Sequence, residues 1–433
     1  MLKPVPPRVE PLPESSKPLI LPEIAAKLWL GAACSRSKAG ILIAFEGEQI
    51  EMHESDFDLA AKAAKRVKLK LGPTPKSPSS SAVISAMNFA HQFITEDIFH
   101  PNAIRVLYFA ALAKASLFYR CLLPALNLNN GAKVVAHVSS NAVAREALDY
   151  DIVVIQISHS ESTLAFAKGL KAMGKKIVFE IDDAFDALEP WHACYELYKR
   201  PEEQAKVTEM LNLADAVTVT TQNLAERYGD RARRIEVIPN FIPLGDWPKT
   251  EPHGKPEFRV LWAGSPSHFG DLEVVAHALW QFMESHIDVK TVFFGKEPKG
   301  VPAPLAARVE VVPFCGFENY PVKLADMKAD VAIAPLADVP FNHAKSNIKL
   351  LEYGACGYPI IASDVGPYRA PYPTPDARLT CRSHQEWYDA LTAIYSDPEV
   401  RARYKKGAEV YARAHDIKVN IGKIESFFTS LAS

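Results

Sequence analysis

The chain has 433 residues, 48% hydrophobic and 23% charged, an ordinary globular composition that excludes wholesale disorder, a coiled coil or a collagen-like array. At about 150 residues per domain, that length predicts two or three domains. Its 49 basic and 51 acidic residues nearly cancel, so the chain as a whole carries no electrostatic footprint for nucleic acid or anionic lipid.

In chain order, residues 1–24 read as a proline-rich arm, since seven of the 33 prolines fall in the first 22 positions. Residues 25–71 read as a small α+β appendage, with strands at 27–31, 40–45 and 49–53 and a helix at 56–71. The prolines and serines of 72–81 open a linker and lead-in helix over 72–100. The lysines and arginine between Lys62 and Lys76 read as a solvated helix face or as a contact for a polyanionic partner. No leader pattern is seen at the N-terminus. The apolar run 103–128 is interrupted by Arg105, Lys114 and Arg120, short of the roughly 18 uncharged residues of a membrane span. Six scattered cysteines without a C-x-x-C pair argue for reduced thiols, not zinc. A cytoplasmic protein without a transmembrane segment is expected.

From residue 101 short runs rich in valine and isoleucine alternate with helical stretches. Strands are predicted at 104–109, 133–138, 152–157, 176–181, 216–220 and 235–238, making 101–240 a doubly wound α/β domain with a buried parallel sheet. A turn-rich hinge, 241–256, precedes a second such domain at 257–405, with strands at 259–263, 290–294, 309–313, 331–335 and 359–363. Helices at 385–395, 398–415 and 417–431 finish the chain, and 406–433 is expected to cross back to the first domain. The fold class is therefore α/β, two Rossmann-like doubly wound domains facing a cleft. Open sheets of this kind bind ligands at the carboxyl ends of their strands.

The richest stretch is 330–366, DVAIAPLADVPFNHAKSNIKLLEYGACGYPIIASDVG, which reads as strand, loop, helix, tight turn and strand. A helix starting near Ser346 or Asn347, both good N-caps, aims backbone N–H groups and a favourable dipole at an anion. Lys345 and Lys349, four residues apart, would share one helical face and bring two ammonium groups to a diphosphate. Glu352, one turn later, suits the paired hydroxyls of a ribose. Gly354 and Gly357 fit a helix that packs closely and stops sharply. Gly264, Gly295 and Gly316 each follow an apolar run, where backbone approaches a ligand or turns tightly. Neither a G-x-G-x-x-G nor a Walker loop nor a G-x-S-x-G is present, which counts against dinucleotide oxidoreductases, kinases and α/β hydrolases.

The stretch KSNIKLLEYGACGYPIIASDVGPY, with DVAIAPL before it and IEVIPN at the domain junction, resembles the GT-B glycosyltransferases, in particular the retaining enzymes of family four. The resemblance covers about residues 101–430, diffusely in the first domain and specifically in the second, and its particular branch is similar to enzymes of bacterial surface-polysaccharide clusters and phages. It implies transfer of a sugar from a nucleotide-diphosphate sugar to an acceptor hydroxyl, with retention and without a catalytic metal or other cofactor. Glu352 would hold the ribose, and Lys345, Ser346, Asn347 and Lys349 the diphosphate and sugar. Two departures stand out. Ala344 occupies the place of a second glutamate eight residues before Glu352, and the loop after Gly264 lacks the usual arginine and lysine.

Gly264, Ser265 and His268 in that loop, with Gly316 and Phe317 near the base, complete the expected donor site. In the first domain Glu180, Asp182 and Asp183 close a central strand, where a carboxylate can steer an acceptor hydroxyl and take its proton. His159, at the end of the preceding strand, matches a histidine that the family places near the donor sugar. The acceptor is expected to be a glycan or polysaccharide, or modified DNA if the basic run at 62–76 is a contact. The competing reading is a non-catalytic relative that binds nucleotide sugars or acts as a scaffold.

Overall fold

A computed structural model describes residues 33–36, 41–45, 48–52, 61, 102–110, 115–139, 147–264, 269–295, 298–316, 319–369 and 375–433. The arm at 1–24, the strand expected at 27–31, most of the helix expected at 56–71, the linker at 72–100 and the basic run from Lys62 to Lys76 lie outside these residues.

Three short strands, β1 (Ala33–Arg36), β2 (Ile41–Phe45) and β3 (Glu48–Met52), form an antiparallel sheet in that order. The second and third match the expectation, while the partner of β2 at 33–36 had no alternating pattern to announce it. Two six-stranded sheets follow. One has the order β5-β4-β6-β7-β8-β9, built from β4 (Ile104–Ala110), β5 (Val134–Ser139), β6 (Ile152–Gln156), β7 (Lys176–Ile181), β8 (Ala216–Val219) and β9 (Ile235–Val237). The other has the order β12-β11-β10-β13-β14-β15, built from β10 (Phe258–Gly264), β11 (Val289–Gly295), β12 (Val309–Pro313), β13 (Val331–Ala334), β14 (Ile360–Ser363) and β15 (Leu379–Cys381). Both sheets are parallel, with helices flanking them, as two successive doubly wound sheets require. Among the strands of these two sheets only β15 escaped the sequence reading, because Cys381 is its one buried residue and no apolar run marks it.

The chain divides into two compact units, residues 1–158 with 169–177 and 424–433, and residues 159–168 with 178–423. In the first, β4 pairs with β5 and β6, and its Val106 to Ala110 are all buried. The end of the last helix, Ile417–Ala432, belongs to this unit: Phe428 meets Tyr108 edge-on at 6.0 Å, and Glu425 pairs with Lys133 at 3.3 Å.

In the larger unit the alternation of β10 sorts its side chains between two cores, because successive residues of a strand face opposite sides. Leu261 and Ala263 enter a core with Phe294, Tyr353 and Tyr411, while Val260 and Trp262 enter another with Phe293, Phe282 and Trp387. Each fully buried aromatic removes 150–250 Å² from water, a gross gain of roughly 4–6 kcal/mol. The Ile348–Cys356 helix ends at Gly357, whose φ of +80° is the left-handed cap that glycine adopts without strain. Its amide bonds Gly354 O and the next amide bonds Tyr353 O, the sharp stop expected before β14. No helix among the described residues is long and apolar enough to cross a membrane.

Candidate functional site

At the carboxyl ends of β10 and β11, Gly264 and Gly295 stand side by side in the parallel register. Gly295 has φ +120°, and a Cβ there would come within 2.3 Å of the Gly264 carbonyl, so neither end accepts a bulkier residue without moving the backbone. The space is used by Lys349, whose ammonium donates to the Ala263 carbonyl and lies 5.3 Å from the Trp262 ring. Lys349 is buried. Burial pushes its pKa down to about 8, opposed by Glu352 and Asp271 and aided by Lys345.

Lys345 differs from expectation. The Pro340–Ala344 helix ends just before it, and Lys345 has φ −58° and ψ 160°, so it does not share a helical face with Lys349. A short helix opened by Pro340 precedes Lys345, and the next helix begins only at Ile348, so Lys345 lies in the break between them. Burial lowers the proton affinity of both lysines, and Lys345 further lowers that of Lys349. Asp271 and Asp183 act on Lys345 in the opposite sense. Its ammonium lies 5.0 Å from the Phe341 ring.

Asn347 holds the N-cap position, yet its amide donates to the Tyr411 hydroxyl instead of closing the helix, and Ser346 Oγ accepts from Asn240 Nδ2 at 2.9 Å. Both polar side chains are thus engaged with other segments rather than capping. Glu352 is buried, and Tyr320 donates to its Oε2 at 3.1 Å. Tyr320 stacks on Phe294 at 5.4 Å, and Phe314, 58% exposed, lies 5.7 Å from Tyr320 and close to Gly295. Gly316 is partly buried in the turn after β12, where its carbonyl accepts from Asn319 N. Ser265, His268 and Phe317 lie outside the described residues.

Asp271 was not foreseen. Its carboxylate, buried at the start of the Phe269–Ser285 helix, accepts from Asn342 Nδ2 at 2.6 Å and from Ala337 N at 3.0 Å, which orders the loop leading to Lys345. An acid in the first turn of a helix reads from sequence as a dipole partner, so nothing local distinguished it.

After β7, Asp182 and Asp183 are partly buried in a turn held by Tyr228, whose hydroxyl donates to the Asp183 carbonyl at 3.1 Å. Glu180 does not join them. It is buried and accepts from Thr218 Oγ1 at 2.5 Å, a bond within the sheet. His159 is buried with Nε2 3.3 Å from Glu203 Oε2 and its ring 5.2 Å from Tyr198. Tyr198, also unforeseen, has its phenol pushed up first by burial and then by Cys194, Glu203, Asp183 and Asp182, so it stays a neutral donor beside those acids. Among the described residues no group of three or more histidine, cysteine, aspartate or glutamate side chains is placed to hold a metal ion.

Residues 257–397 match the family described as Glycosyl transferases group 1, and the matched region holds Gly264, Lys345, Lys349 and Glu352. The matched stretch is a glycosyl transferase group 1 region, and the chain that carries it has the GT-B fold. That fold is similar to Anabaena HepE in complex with UDP and glucose, at 15% identity and TM-score 0.56 over 76% of this chain and 100% of that one. It is likewise similar to a sucrose-phosphate synthase from Thermosynechococcus elongatus, at 14% identity and TM-score 0.55 over 76% and 99%. No curated protein sequence matches this chain.

Proposed function

We propose that this protein is a glycosyltransferase that takes a nucleoside-diphosphate sugar as donor and transfers the sugar, with retention and without a catalytic metal, to the hydroxyl of a glycan. The observation that carries the reading is the buried Lys349 at the Gly264–Gly295 strand ends, with Lys345 beside it and Glu352 one turn on. A buried ammonium with a depressed pKa is costly until an anion meets it, and a diphosphate supplies that anion. Lys349 reaches the place left without cations after Gly264, which supports leaving-group stabilisation by the chain's own charges. Glu352, backed by Tyr320, takes the ribose hydroxyls, and the exposed ring of Phe314 takes a base face. HepE has been captured with UDP-glucose, a donor of this class.

With alanine at 344, recognition of the sugar falls to other polar groups of the same loop. Asp338, 2.6 Å from His343 Nε2 and largely exposed, offers a carboxylate there. Asp183 orients the acceptor hydroxyl, and the departing phosphate receives its proton in front-face attack. No resident cofactor has a role in this scheme. A glycan acceptor is preferred because 49 basic against 51 acidic residues give the chain no overall footprint for nucleic acid. The non-catalytic alternative draws on Ala344 and on the missing arginine and lysine in the loop after Gly264. Release of nucleoside diphosphate from a panel of nucleotide sugars, with and without glycan acceptors and with EDTA as a control, tests the reading. Proton NMR of the product's anomeric centre tests retention. Bound nucleotide with no release across the panel would establish the scaffold instead.

A further inference from the structure

Three residues, Lys345 to Asn347, join the Pro340–Ala344 helix to the Ile348–Cys356 helix, and helical hydrogen bonding alone does not fix such a break. Bonds from distant segments do. Thr221 Oγ1 donates to the Ala344 carbonyl at 2.9 Å on one side of Lys345, and Asn240 Nδ2 donates to Ser346 Oγ at 2.9 Å on the other. Beyond them, Asn347 is tied to Tyr411.

The hydroxyl of Thr221 has no rotational choice. As N-cap of the Gln222–Tyr228 helix its oxygen accepts from Leu224 N at 3.3 Å, which leaves its proton for Ala344. Thr220, the preceding residue, donates to the Asp182 carbonyl at 3.5 Å. The end of β8 therefore touches both the turn that carries Asp183 and the loop that carries Lys345. These are the two charged groups, with Asp271, that act on each other in the site.

We propose that Thr221 and Asn240 are positioning residues that hold the Ala344 carbonyl and the Ser346 side chain on either side of Lys345 and so keep its ammonium where the donor's diphosphate arrives. The inference rests on the reading of Lys345 as a diphosphate ligand. A lysine side chain loses much rotamer freedom when it is held for one contact, and a pinned backbone removes part of that cost before the ligand binds. The Ala344 carbonyl and the Ser346 hydroxyl are each held by a side chain more than 100 positions away in sequence.

The test is calorimetric titration of UDP, GDP and ADP, and of the corresponding nucleosides, into the full chain. Thr221→Asp keeps an oxygen to cap the helix but has no proton for Ala344, whereas Thr221→Ser keeps both. Thr221→Asp and Asn240→Ala are expected to weaken the preferred diphosphate about threefold to tenfold, the net worth of one hydrogen bond, with nucleoside affinity and melting temperature unchanged. Thr221→Ser should bind as the parent does, and Asn240→Ala combined with Ser346→Ala should cost no more than either change alone. Equal weakening of diphosphate and nucleoside would overturn the proposal, as would parental diphosphate affinity in properly folded variants. Should Asn240→Ala not fold, Ser346→Ala removes the same bond from the loop side. If Lys345→Ala weakens the diphosphate and the positioning variants do not, the inference alone falls. If the parent binds none of the three diphosphates, the donor reading falls and takes it along.

Discussion

The segment from β13 to β14 and the segment from β6 to β7 both present charged residues at the carboxyl ends of parallel strands, but they treat them differently. In the first, Lys349 and Lys345 are held with proton affinities lowered by burial, a state that a bound anion relieves. In the second, His159 faces Glu203 and Glu180 is bonded to Thr218, so two of the four groups expected to do chemistry take part in holding the fold. Charge kept at an energetic cost points to a ligand, while charge already matched by the chain points to architecture.

Breaking Asp183 tests this contrast most severely. Asp183→Asn is expected to lower turnover about a hundredfold by misorienting the acceptor, with diphosphate affinity nearly unchanged. An equal loss of affinity would erase the difference between the two regions. Lys349→Met should do the reverse, weakening the nucleoside diphosphate about tenfold to a hundredfold in titration calorimetry. Its melting temperature should hold or rise, because a buried charge is gone. A smaller loss, about tenfold, is expected for Phe314→Ala, and it should appear equally with the nucleoside if the ring meets the base.

The smallest effect is with pH. Lys349 has a pKa of about 8 when folded against 10.5 for an ordinary lysine, so the unfolded chain binds the extra proton between those values. Stability from this group therefore rises as pH increases through that window, while diphosphate affinity, which needs the ammonium, declines. A decline of at most about tenfold between pH 7 and 9 is expected, and Lys349→Met should flatten it. A slope that survives in Lys349→Met would assign it to another group.

Much of this was legible from local pattern. The valine- and isoleucine-rich runs located the buried strands because a strand covered on both faces needs little polar alternation, and β15 was missed for want of such a run. Gly357 was legible because few residues tolerate its backbone conformation. Glu352 and Lys349 were legible from their place after a strand and a loop. Less visible was the place of Lys345, which falls in the break between two helices and not on the face of Lys349. Asp271, Tyr320 and Tyr198 were silent, since an acid in a first turn and tyrosines on helices have common structural reasons to be there.

By itself the sequence determined two parallel α/β sheets, a glycine-lined strand end and a basic helix start, because these follow from residue type and short spacing. Only the tertiary structure decided which charged groups meet. Asp271 reaches Ala337 and Asn342, Thr221 reaches Ala344, and His159 turns to Glu203. Such pairings are set by how helices and strands pack, and contacts between segments 40 to more than 100 residues apart leave no periodic trace in the chain.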